Sequence, residues 1–162
     1  MSDKDRTYAQ RNDGRVNLAE IRAEEFFKSH EMKYVRYGFD EKCDRVDFDM
    51  WWKIPEEIRS APDYIVSNDD TVFFEVKGYF GELKIKMNDM VAYEHWSKIL
   101  PVWMFVRNCE SDKEYCVEWK KVIKHMSKCK VGHYPDNGRT YFIIDEAFLE
   151  KENKIRSQNG QA

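Results

Sequence analysis

Apolar and polar positions along the chain alternate first at a helical interval and then at an extended one. Leu18, Ala19, Ile21, Ala23, Phe26 and Phe27 form a broad apolar stripe at helical spacing. Asn17 stands ahead of it, with Glu20 placed to complete an approximate capping box, so a helix is predicted from Asn17 to about His30. Met32 to Tyr37 alternates as a strand does, and Gly38 ends it. Ala61–Val66 and Thr71–Gly78 read as two strands around the polar turn Ser67-Asn68-Asp69-Asp70.

Further on, Met87, Met90, Val91, Trp96 and Ile99 predict a helix from Met87 to Leu100, stopped by Pro101. Val102–Val106 is a continuous apolar run, expected of a strand buried on both faces. A helix between two strands points to a mixed sheet. Glu114 to Lys128 reads as a second long helix, Pro135-Asp136-Asn137-Gly138 as a turn and Thr140–Ile144 as a last strand. Asp145 is placed to cap a short helix holding Phe148 and Leu149. The expected fold class is α/β (α+β), a central mixed sheet flanked by helices.

Composition narrows the picture. A chain of 162 residues can bury one substantial core, and 42% hydrophobic with 15% aromatic residues supports a packed protein. The polar ends read as a loose arm over residues 1–16 and a frayed tail over 151–162, with one domain over 17–150. No apolar run reaches the roughly 18 residues of a membrane span, and Met1-Ser2-Asp3-Lys4-Asp5-Arg6 lacks a signal core. A soluble, cytoplasmic protein is expected, with Cys43, Cys109, Cys116 and Cys129 as reduced thiols. Cys109, Cys116, Cys129 and His133 invite a zinc reading, but their spacing matches no common ligand pattern.

The candidate chemistry lies in the paired strands. Residues two apart on a strand share a face, so Glu75 and Lys77 project together. Asp63 joins them only if Val66 faces Val72, with Ser67–Thr71 as the loop; a slip of one residue sends Asp63 to the other face. Two converging carboxylates repel unless a cation neutralises them, and hard oxygen ligands suit Mg²⁺ or Mn²⁺. Such an ion can acidify a water and bind a phosphate oxygen, with Lys77 beside the developing charge. The arrangement suits phosphodiester hydrolysis.

On these residues the sequence resembles the PD-(D/E)xK nuclease superfamily, which includes restriction endonucleases and Holliday-junction resolvases: Pro62-Asp63 matches the first half of its motif and Glu75-Val76-Lys77 the second. The resemblance spans about residues 17–107. It implies a restriction-endonuclease-like core and an Mg²⁺- or Mn²⁺-dependent endonuclease. Asp63, Glu75 and the Val76 backbone carbonyl would be ligands, Lys77 the catalytic lysine, and Glu20 an auxiliary acid acting through water, with Glu24 its substitute. Residues 37–60 exceed what the minimal core needs and read as an insertion.

DNA, branched or structured forms included, is the expected substrate, although a net charge of −3 gives little general affinity for phosphate. Lys84 and Lys86 after the motif, and Lys120, Lys121 and Lys124 later, are the candidate phosphate contacts. Trp51, Trp52, Tyr79 and Phe80 could stack on splayed bases, core packing being the competing role. Cutting both strands would call for a homodimer. The alternatives are an RNA endonuclease with a related metal site and a nuclease-like binding module without activity. The arrangement also resembles the cap-snatching RNA endonucleases of segmented RNA viruses, which add a helix histidine as ligand. His30 would hold that place, against a capping or surface role.

Overall fold

The structure is a computed structural model that describes residues 15–38 and 48–155. Most of the expected N-terminal arm, the end of the tail and residues 39–47 of the 37–60 segment, Cys43 among them, lie outside the described residues. Helix α1 (Arg15–Ser29) leads into β1 (Lys33–Arg36), followed by two short helices, α2 (Phe48–Lys53) and α3 (Glu56–Arg59). The hairpin β2 (Tyr64–Ser67) and β3 (Thr71–Tyr79) comes next, then β4 (Leu83–Lys86), α4 (Met87–Trp96) and β5 (Val102–Asn108). The chain closes with β6 (Glu114–Glu118), α5 (Trp119–Met126), β7 (Lys130–His133), β8 (Thr140–Ile144) and α6 (Glu146–Glu152).

The main sheet has five strands in the order β1-β2-β3-β5-β6, mixed because β3 and β5 run parallel across the α4 crossover while the other pairs are antiparallel. Its two faces carry separate cores. On one, Ala19, Ala23 and Phe27 of α1 pack on Tyr64, Val66, Phe74, Val76, Phe105 and Cys116. These positions of α1 are one turn apart, and the alanines let the helix lie close to the strands. The stripe is therefore narrower than the sequence suggests, for Leu18 and Ile21 stay exposed. On the other face α4, α5, α6 and a second, three-stranded sheet β4-β8-β7 enclose Phe73, Met104, Val106, Val117 and Trp119.

The residues from Glu114 to Glu118 form an edge strand instead of the start of a helix. Tyr115 and Val117 enter one core and Cys116 the other, so a short run buried on both sides carries no alternation, and the lysines downstream dominate the local pattern. The helix begins only at Trp119. The chain also stays docked past Lys151. The Asn153 side chain accepts from the Cys116 amide at 2.8 Å, and the Lys154 amide donates to the Cys116 carbonyl at 2.8 Å.

The junction of α5 with α6 yields a pH prediction. The Asp145 carboxylate caps α6 by accepting from the Phe148 amide at 2.8 Å, and its other oxygen lies 2.7 Å from His125 Nε2. The His125 hydrogen bond first, and the Phe148 amide after it, hold Asp145 below its ordinary value of 3.8. A depressed folded value gives stability that is complete above pH 3.8 and fades as pH falls through the lower folded value. Asp145→Ala is expected to cost about 1 kcal/mol at neutral pH in urea denaturation, with the gap to wild type narrowing in acid.

Gly38 sets the position of the first acid. A Cβ at this residue would meet the Pro62 carbonyl oxygen at 2.9 Å and Asp63 Cα at 3.1 Å, and the Tyr37 and Gly38 amides both donate to the Asp63 carbonyl. Gly38→Ala should press on the Pro62-Asp63 backbone and cost about 1–3 kcal/mol, read as a lower urea midpoint at unchanged slope.

Candidate active site

The hairpin adopts the register that brings the acids and the lysine together. Val66 pairs with Val72 and Tyr64 with Phe74, and the ladder continues to Ser67 opposite Thr71, so the turn is Asn68-Asp69-Asp70. Asp63, one residue before Tyr64, therefore lies alongside Glu75. Beyond that point β2 ends while β3 continues to Tyr79, which leaves the edge of β3 open. The Val76 amide on this edge donates to Asp63 Oδ2 at 2.8 Å. The N–H and C=O of one strand residue point to the same side, so the Val76 carbonyl faces the same opening.

Helix α4 supplies what the strands lack. Tyr93 donates its hydroxyl to Glu75 Oε1 at 2.6 Å, and Asp89, one turn earlier, lies 3.1 Å from Lys77 Nζ. Lys77 Nζ is also 3.3 Å from Glu75 Oε1. Burial, followed by the Glu75 charge, pushes the Asp63 carboxyl well above the ordinary carboxylate range. Burial raises Glu75 too, offset by Lys77 and the Tyr93 hydroxyl. For Lys77 burial acts downward, but Asp89 and its neighbours outweigh it and hold the ammonium well above its ordinary value. Two desolvated carboxylates thus face a firmly charged lysine.

Glu20 reaches the cavity wall near Asp63, yet its carboxylate is clamped by Arg36, with Nη1 and Nη2 at 2.8 and 2.9 Å. Glu24 turns away and accepts the hydroxyls of Tyr64 at 2.9 Å and Tyr34 at 3.2 Å. Lys84 and Lys86 project from β4 on the side opposite the buried Leu83 and Ile85, and both line the cavity around Asp63. Lys84 is held over the Tyr141 and Tyr134 rings. Lys120, Lys121 and Lys124 on α5 are not part of that lining, and Lys121 is paired with Glu152. His30 Nδ1 lies 2.9 Å from the Phe26 carbonyl, a capping contact at the end of α1. Cys116 packs in the α1 core and Cys129 against the opposite one.

Asp89 and Tyr93 were not candidates in the sequence. Their one signal is a polar pair one helical turn apart, and only the crossover of α4 over β3 shows which face they meet.

The donors suit a hard divalent cation. Asp63 and Glu75 are desolvated, mutually repelling carboxylates beside an outward backbone carbonyl. Among the described residues no group of three or more His, Cys, Asp and Glu side chains forms a ready cage. An Mg²⁺ site needs none, because one or two carboxylates with several waters suffice.

The mixed five-stranded sheet flanked by helices matches the restriction-endonuclease-like fold expected from the sequence. Hjc, a Holliday junction resolvase from the archaeal hyperthermophile Archaeoglobus fulgidus, is similar to the chain with a TM-score of 0.54 and 11% identity, over 86% of this chain and 91% of that one. D212, a nuclease from a fusselovirus, has a TM-score of 0.49 and 9% identity over 91% and 88%. At 11% identity the likeness to Hjc is one of fold. No protein-family model and no curated protein matches the sequence. No helix among the described residues is long and apolar enough to cross a membrane.

Proposed function

We propose that the protein is an endonuclease that hydrolyses phosphodiester bonds of DNA with Mg²⁺ or Mn²⁺. The observation that carries this reading is the Val66–Val72 register, which sets Asp63, Glu75 and Lys77 at one opening. Asp63, Glu75 and the Val76 carbonyl would hold the ion, which when bound polarises a phosphoryl oxygen and lowers the pKa of a water. The residues of the chain supply position and charge. Tyr93 fixes the Glu75 carboxylate, and Asp89 fixes Lys77 as an ammonium.

Lys77, set between Asp89 and Glu75, acts as an electrostatic group beside the phosphate, where negative charge grows in the transition state. Glu20, committed to Arg36, adds negative charge at the rim and reaches an ion only through water. Lys84 and Lys86 are the phosphate contacts nearest the reaction. The fold shared with Hjc, named as a Holliday junction resolvase, supports DNA as the substrate. Cutting two strands would engage two copies of the chain.

The test is a panel of supercoiled DNA, branched DNA and single-stranded RNA, each with Mg²⁺, Mn²⁺ or EDTA. Metal-dependent cleavage confined to DNA is expected. Cleavage of RNA alone would move the assignment to the RNA endonucleases, and no cleavage of any substrate would leave a binding module.

A further inference from the structure

The short helices α2 and α3, which the reaction does not use, build a second feature on the wall of the site. The Arg59 guanidinium carbon lies 5.5 Å from the Trp51 ring centroid and 5.3 Å from that of Trp52. Trp51 and Arg59 line a cavity of about 370 Å³ together with Asp63, Glu75 and Lys77. Trp52 is 60% exposed. Arg59 Nε is buried and has no hydrogen-bond partner among the described residues. The fold thus holds a cation against two indoles beside the reacting groups, with the Nε donor left unsatisfied among the described residues.

Resting on the nuclease reading, we infer that Trp51, Trp52 and Arg59 form a subsite for an unpaired nucleotide adjoining the scissile phosphate, so that the substrate is DNA with a frayed or single-stranded arm at the cut. A guanidinium presents planar donors that match phosphate, and stacking on aromatic rings preorganises it. An indole face stacks on any base regardless of sequence. A base inside a duplex has both faces covered by its neighbours, so only an unpaired one can lie on Trp52.

The charge balance agrees. With a net charge of −3 the chain gains little from phosphate attraction at large, and local stacking must carry more of the affinity. Asp63, Glu75, Lys77, Lys86 and Asp89 also line a second cavity of about 400 Å³, whose wall includes Lys84 and Tyr134. A strand lying across the acids would therefore have a cavity on either side of them to occupy.

Fluorescence anisotropy of a labelled forked duplex and a blunt duplex of equal length, with the full-length protein in EDTA, tests the subsite without reading cleavage. The fork should bind about tenfold tighter than the blunt duplex, and Trp52→Ala should remove most of that preference while Trp52→Phe keeps it. Arg59→Gln should weaken binding and lower the salt slope by about one, a change Trp52→Ala should not produce. Thermal melts establish that the variants are folded. Equal binding of fork and blunt duplex by wild type, binding of neither, or variants that bind as wild type does would overturn the subsite and reduce the Arg59 contacts to a clasp between α2 and α3. A failure to cut DNA would instead sink the nuclease reading and leave this result standing.

Discussion

Lys77→Ala is expected to lower DNA cleavage by about 10²–10³-fold under single-turnover conditions, the loss typical when one preorganised charge-stabilising donor is removed. The side chain sits between Asp89 at 3.1 Å and Glu75 at 3.3 Å, so its deletion also leaves two carboxylates facing each other without a cation. Removing one partner of a buried ion pair costs about 3–5 kcal/mol. Here the side chain is still 20% exposed, and solvent screening reduces the expected loss to about 2 kcal/mol in urea denaturation. Lys77→Arg separates charge from fit, since a planar fork cannot take the place of a compact ammonium between the two acids. It should retain the stability better than the activity. If both variants cut as fast as wild type, Lys77 is a structural cation and no more.

The second large effect runs in opposite directions for stability and activity. Asp63→Asn keeps an oxygen for the Val76 amide but removes a desolvated charge beside Glu75, so the metal-free protein should become more stable by about 1 kcal/mol at neutral pH. Cleavage should fall by about 10²-fold or more, since one of the two carboxylates that would hold the ion is gone. Mn²⁺ at a hundredfold excess over its Kd should stabilise wild type by about 2.7 kcal/mol in thermal melts and the variant hardly at all. Equal stabilisation of both would show that Asp63 does not hold the ion. A structural carboxylate would behave differently, because its loss would destabilise the protein with or without metal.

How far the sequence reveals this site depends on whether a contact is local. The hairpin was legible because strand alternation allows a single register that puts Asp63 and Glu75 on one face, and Val66 does pair with Val72. The central mixed sheet followed from a helix lying between two apolar strands. Asp89 and Tyr93 were not legible, because their partners Lys77 and Glu75 are met only through the packing of α4 across the sheet. Glu20 lines one cavity with Asp63, but its clamp by Arg36 joins α1 to β1, which no spacing rule reports. The second sheet left a faint trace: Leu83-Lys84-Ile85-Lys86 alternates, though over too short a stretch to stand out, and β7 is shorter still in apolar content. The α5 lysines set the local pattern of residues 114–128 and mask the edge strand before them.

The central claim is that Asp63, Glu75 and Lys77 form one metal-dependent hydrolytic site. Supercoiled DNA incubated with wild type and with Lys77→Ala, each in Mg²⁺ and in EDTA, tests it most directly. Nicked or linear product should arise from wild type in Mg²⁺ alone. The same product from both proteins in both conditions, or from neither in any, would contradict it.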